Sequence, residues 1–297
     1  MSATTKILIV LFVILAVVVV YYLQPAKERE ASYKTSDLNL AIDSASVNKI
    51  EIQKLGKSIA LENTDGKWMI TSPGRYTANA STVTQLLSSF SKFIVGSLIS
   101  SNPEKQGMFQ VDSTGTKVTV TQRSGKSVIL VVGKMGPSYS EAYFRLPDSK
   151  DVYMGEGLST WTLNQDLKEW RDKTIFSTPS DSIKELSLEF NNESFVFTHE
   201  NDTWKLNNDS IEQSVVTPAL TALSSLHADD FIDSNFTPTT KPMNVKIHAS
   251  EDVVLSLFPQ PPDSARYAVQ TSQSPQVYLL SKWTVQQIRK PIEKYVK

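Results

Sequence analysis

Val47–Ile70 reads VNKIEIQKLGKSIALENTDGKWMI, and Ile183–Leu206 reads IKELSLEFNNESFVFTHENDTWKL. A single offset of 136, as from Trp68 to Trp204, carries Val47 onto Ile183, Ile50 onto Leu186 and Ile52 onto Leu188. The same offset carries Ile59 onto Phe195 and Leu61 onto Phe197. In both copies apolar residues alternate with polar ones, the period of a strand with one buried face. Turn residues divide the runs: Gly56 and Asp65-Gly66 in the first copy, Asn191-Asn192 and Asn201-Asp202 in the second. Each copy therefore opens as a three-stranded antiparallel meander. A tandem duplication makes the chain two-lobed and marks as framework the residues that both copies kept.

The duplication continues downstream. In Asn79–Phe93 the apolar residues Val83, Leu86, Leu87, Phe90 and Phe93 have helical spacing, with Asn79 or Ser81 as cap. Val216, Leu220, Leu223 and Leu226 repeat this pattern, with Pro218 placed early enough to be tolerated in a first turn. Strand text resumes at residues 117–122, 127–133, 142–146 and 151–154, with counterparts at 244–248, 253–258, 266–270 and 276–280. Both copies close on Ser-x-Trp-Thr-x-x-Gln, at Ser159–Gln165 and Ser281–Gln287, opening a short helix. Trp68, Trp204, Trp161 and Trp283 are expected to form the repeat core, each filling roughly 150–250 Å² between sheet and helix. Stacking platforms for a glycan or lipid are the functional reading of the same residues.

Ahead of the repeats, Ile7–Leu23 is an unbroken apolar run of 17 residues, preceded by Lys6 and followed by Gln24-Pro25. As a helix it spans roughly 26 Å, enough for a bilayer core, with Tyr21-Tyr22 at the interface. A cleaved signal peptide is the rival, but no small-residue cleavage pattern follows Leu23, so an uncleaved anchor is expected. A short tail before the run and a large domain after it favour a cytoplasmic N-terminus. The chain contains no cysteine, which excludes disulfides and a lipoprotein anchor. The formal net charge is −1 and no basic run stands out, arguing against nucleic acid as a partner.

The expected fold class is α+β. An N-terminal transmembrane helix is followed by two tandem homologous lobes, each an antiparallel sheet with one long and one short helix. The expected boundaries are an anchor over 1–24, a juxtamembrane linker over 25–45, and repeats over 46–176 and 177–297.

Residues with chemical potential are scattered. His199, His227 and His248 lack metal-ligand spacing, and no metal or cofactor is expected. Asp229-Asp230-x-x-Asp233 reads as a solvated loop rather than an acid–base pair, because its counterpart is Gly96-Ser97. Gly133-x-x-Gly136 fits a phosphate loop or a turn equally well. Trp170, Arg171, Asp172 and Lys173 join the two copies with alternating charge. They read as a polar seam between lobes, or as a hinge that caps a helix end.

Several of these segments together resemble a known pattern. Gly66–Pro73 (Gly-Lys-Trp-x-Ile-x-x-Pro), Leu86-Leu87, Leu130–Lys134, Ala142–Leu146, Val152-Tyr153 and Trp170–Thr174 are similar to the bacterial domain of unknown function family 4340. The likeness covers most of 47–176 and extends more faintly over the second copy. Phe258-Pro259-Gln260 departs from it where the first copy has Gly133-Lys134. The resemblance implies an envelope protein with no assigned catalytic residues, associated with ABC-type permeases and gliding-motility transport components. The expected function is a non-enzymatic, membrane-anchored periplasmic accessory or scaffold protein. It would reach from the bacterial inner membrane to bind a transporter permease or another envelope protein. The alternative is an envelope ligand-binding protein that takes a glycan or lipid between its lobes.

Overall fold

A computed structural model describes residues 38, 40, 42–262 and 265–295. The first sheet holds β1 (Val47–Lys54), β2 (Lys57–Thr64), β3 (Lys67–Ser72), β4 (Tyr76–Thr77), β5 (Ile94–Ser100), β6 (Thr116–Gln122), β7 (Ser127–Met135), β8 (Glu141–Arg145) and β9 (Val152–Glu156). After β10 (Thr174–Ser177) come β11 (Glu185–Phe190), β12 (Glu193–Glu200), β13 (Thr203–Leu206) and β14 (Asp209–Ile211). β15 (Ser225–His227) returns to pair with β10 as a separate ribbon. The second sheet is completed by β16 (Asp230–Ile232), β17 (Met243–His248), β18 (Asp252–Pro259), β19 (Arg266–Thr271) and β20 (Ser274–Ser281).

The two sheets have one topology. The order β4-β3-β2-β1-β6-β7-β8-β9-β5 in the first is matched by β14-β13-β12-β11-β17-β18-β19-β20-β16 in the second. Register follows the duplicated text. Ile50 faces Leu61 and Ile52 faces Ile59 across β1 and β2, as Leu186 faces Phe197 and Leu188 faces Phe195 across β11 and β12. A one-residue slip would turn each apolar set outward, so the alternation itself fixes the pairing.

Each copy contributes one longer helix. α1 (Ala80–Ser91) is capped by Asn79, whose Oδ1 accepts from the N–H groups of Ser81 and Thr82 at 3.0 and 3.2 Å. It buries Val83, Leu86 and Phe90, each worth about 1.5–3 kcal/mol. The remaining helices are α2 (Thr160–Leu163), α3 (Leu167–Trp170), α4 (Gln213–Ser224) and α5 (Lys282–Arg289). α4 packs Val216, Leu220 and Leu223 into a core with Leu186, Leu188, Phe197, Val245, Leu255 and Leu280. Pro218 is the sixth residue of α4 rather than part of its first turn.

The described chain divides into two compact units. One holds the residues up to Gly66 with Thr71–Pro73 and Thr84–Asn164. The other holds Lys67–Ile70, Gly74–Val83 and the chain from Gln165 onward.

The expected fold class needs correction. The molecule is predominantly antiparallel sheet, two large sheets with little helix, rather than α+β lobes with one long and one short helix. The short helices expected after Ser159 and Ser281 are the one-turn α2 and the eight-residue α5. Short strands such as β4 and β14 extend the sheets where period-2 alternation is too brief to read. The expected transmembrane helix over Ile7–Leu23 lies outside the described residues, as does most of the linker. Among the described residues no helix is long and apolar enough to cross a membrane.

Candidate functional site

The most constrained polar group in the second unit is Arg171. Trp170, at the end of the one-turn α3, is completely buried, and the chain then becomes extended at Arg171. This backbone is laced to the segment Gly74–Val83. Asn79 donates its N–H to the Trp170 carbonyl at 2.8 Å, and Asp172 donates to the Thr77 carbonyl at 2.9 Å. Ala78 and Arg171 form an isolated antiparallel bridge, and Thr82 Oγ1 donates to the Glu169 carbonyl at 3.2 Å.

The Arg171 side chain, 3% exposed, lies between two aromatic faces. Its guanidinium carbon is 3.8 Å from the Tyr76 ring centroid and 3.6 Å from that of Phe231. Nη1 donates to Asp233 Oδ1 at 2.5 Å and Nη2 to Gln276 Oε1 at 2.7 Å. Nε is buried without a hydrogen-bond partner. A buried cation is tolerated only when paired and hydrogen-bonded, and desolvated cation–π contacts contribute about 2 kcal/mol each. Strand register delivers these partners: Phe231 faces Tyr278 and Ile232 faces Val277 across β16 and β20, which brings Gln276 and Asp233 to one end of that pair.

The neighbours of Arg171 are equally engaged. Lys173 Nζ contacts Glu169 Oε2 at 2.9 Å, and its carbonyl accepts from the Ala228 N–H at 2.7 Å. Asp172 Oδ1 accepts from the Thr174 N–H at 2.9 Å. Trp170, Arg171, Asp172 and Lys173 thus lie together in the second unit, where they tie Gly74–Val83 to its sheet.

Beside this cluster opens a cleft of about 600 Å³, within the usual size of a ligand site. Extended segments line it: Tyr76 and Thr77 of β4, Ile175 and Ser177 of β10, and Gln276 and Tyr278 of β20. Arg171 holds Tyr76 and Gln276 from behind, so two walls of the cleft are set by one guanidinium.

The other residues singled out from sequence do not converge. Asp229 and Asp233 are exposed and Asp230 half-buried, and each has its own partner. Asp229 accepts from the Ser281 N–H at 2.7 Å, Asp230 pairs with Lys168 at 3.6 Å and Asp233 holds Arg171. His199 stacks on Trp204, His227 bonds within β15, and His248 pairs with Asp252 at 2.5 Å. That contact raises the His248 pKa above its ordinary value, through the hydrogen bond first and the charge of Asp252 second. No group of potential metal ligands occurs among the described residues.

Of the four tryptophans expected in the core, Trp204 is buried and Trp68 is half-buried. Trp161 and Trp283 are surface residues, 64% and 68% exposed. Their one-sided helices bury Leu163 and Val285 instead, while Ser159 and Ser281 cap the same way onto Thr162 and Thr284. Gly133 serves packing, not a phosphate: a Cβ there would stand 2.1 Å from the Phe109 carbonyl. The segment through Val111 covers the outer face of β7, held by Arg145, whose Nε donates to the Val111 carbonyl at 2.5 Å.

Sequence reading found Arg171 but not Tyr76, Phe231 or Gln276. These partners come from three strands, with Gln276 105 positions away, and no local period links them.

Fold and site define a duplicated antiparallel-sheet protein whose connecting arginine is clamped between aromatic rings. The sequence profile of a domain of unknown function (DUF4340) matches residues 68–246, and the chain belongs to that family. The matched stretch contains Tyr76, Arg171, Phe231 and Asp233, and it ends before Gln276. No curated protein and no solved structure matches the chain.

Proposed function

We propose that this chain is a non-enzymatic accessory or scaffold protein of the bacterial inner membrane, with its sheets in the periplasm. In this reading it binds a permease of the ABC type or another envelope protein. The observation that carries the reading is the cleft beside Arg171. Extended segments with main-chain polar groups form its walls, the surroundings in which a partner's extended segment is bound. The clamp on Tyr76 and Gln276 holds those walls in place before binding, which lowers the entropic cost of association. The apolar run Ile7–Leu23 supports a seat at the membrane, and the tie to transport components that the resemblance implies supports the class of partner.

The test is affinity purification from native membranes in mild detergent, through a C-terminal tag, followed by mass spectrometry. A stoichiometric permease or ATPase is the expected companion. It should be lost from Ser177→Trp, which blocks the cleft. If the chain comes away alone, the partner reading fails. A second reading, a ligand-binding envelope protein, is favoured by Tyr76, Tyr278, Gln273 and Gln276 in the cleft wall, groups that suit a glycan.

A further inference from the structure

One rim of the first sheet is apolar where the fold does not require it. The strand order places the end of β1, the start of β6, the end of β7, the start of β8, the end of β9 and the start of β5 on the same side. Met135 faces Ala142 there, and Glu156 faces both Glu141 and Ile94. Lys54 Nζ and Thr116 Oγ1, both on this rim, donate to Asn164 Oδ1 at 2.7 and 2.9 Å, which ties α2 and its Trp161 to the same side. The rim therefore presents Leu55, Ile94, Met135, Tyr139 and Trp161, all exposed, with Leu55 at 70% and Tyr139 at 91%.

The second copy shows what the fold alone demands. Leu55, Ile94 and Met135 correspond to Asn191, His227 and Gln260, all polar, whereas Trp161 has an equally exposed counterpart in Trp283. Leu55 is also in the left-handed region at φ +46, and Asn191 at φ +52. Asparagine suits that conformation and leucine does not. An exposed leucine held in an unfavourable turn points to a role outside folding.

The chemistry of the rim identifies the occupant. Tryptophan and tyrosine favour the headgroup level of a bilayer, where leucine, isoleucine and methionine reach the acyl boundary. Lys54 and Lys57 flank the β1–β2 turn, Lys92 precedes β5 and Lys134 lies near the end of β7, with Glu141 and Glu156 at the same strand ends, a charge set that complements anionic headgroups. We infer that this rim of the first unit docks on an anionic bilayer surface, inserting Leu55, Tyr139 and Trp161 at headgroup depth. The inference goes beyond the partner reading and is independent of whether a permease binds.

The absence of native cysteine makes the test direct. Leu55→Cys, Tyr139→Cys and, on the opposite rim, Ser124→Cys each take one nitrobenzoxadiazole label in the full chain. Each labelled protein is reconstituted into phosphatidylglycerol-rich vesicles containing nitroxide-bearing lipid. Labels at 55 and 139 should be blue-shifted and quenched several-fold more than the label at 124, with the difference shrinking in phosphatidylcholine vesicles. Adding Leu55→Asn to the Tyr139→Cys protein should lower the quenching at 139 while the fold is kept. Equal quenching at all three sites would overturn the proposal. So would labels at 55 and 139 that are shielded from water yet untouched by the lipid quencher, because a protein surface would then cover the rim.

Discussion

Removing the Arg171 side chain tests the clamp most directly. Arg171→Ala loses two desolvated ring contacts, together about 4 kcal/mol, and the packing of its stem, about 1 kcal/mol more. Against this, the buried Nε without a partner disappears, returning about 2 kcal/mol. Asp233 is 58% exposed and is rehydrated when its partner goes, so the net loss is about 3 kcal/mol. For a unit of this size that lowers the midpoint of thermal unfolding by roughly 6–12 °C. The assay is thermal unfolding in mild detergent, followed by emission from Trp170 and Trp204, which are buried in the second unit. Hydrogen exchange adds a local readout, since the Asn79 and Asp172 amides bond across the clamped segment and should lose protection first. Arg171→Met, which keeps the stem between the rings, should cost clearly less than the alanine variant. An alanine variant that unfolds with the wild type, with both amides still protected, would refute the clamp.

The other expectations are smaller and separable. Leu55→Asn should stabilise the first unit by about 1 kcal/mol, read by urea unfolding, because it relieves a left-handed leucine. Gly133→Ala should destabilise the same unit by about 1–3 kcal/mol or more, since its Cβ meets the rigid Phe109 carbonyl; a neutral result would mean that the covering segment yields easily. Asp252 raises the His248 pKa, so this pair adds stability below the ordinary histidine value and loses it as pH rises through the folded-state value. Histidine resonances followed by NMR should show His248 moving back toward 6.5 in Asp252→Asn. Glu189 behaves oppositely. Its hydrogen bond from Lys246 holds its pKa below 4.5, so its contribution is present above that value and fades as pH falls through the folded-state pKa, a dependence that Lys246→Met should weaken.

The duplication was legible from residues alone because apolar alternation and turn residues are local properties. Ile50, Ile52, Leu61 and their counterparts Leu186, Leu188 and Phe197 can satisfy a half-buried pleat in only one register, and offsets in sequence become equivalent places in two sheets. α1 was legible for the same reason, through its helical spacing and its Asn79 cap. The predominance of sheet was not, because β4 and β14 are two and three residues long and exist only by pairing with a neighbour. Nor could sequence separate Trp204, which faces the core, from Trp161 and Trp283, which face solvent on helices whose opposite sides are buried. The Arg171 clamp belongs wholly to tertiary structure. Burying a cation requires a carboxylate, an amide and two aromatic faces at one point, and only the folded chain brings together groups from four separate segments to meet that electrostatic demand.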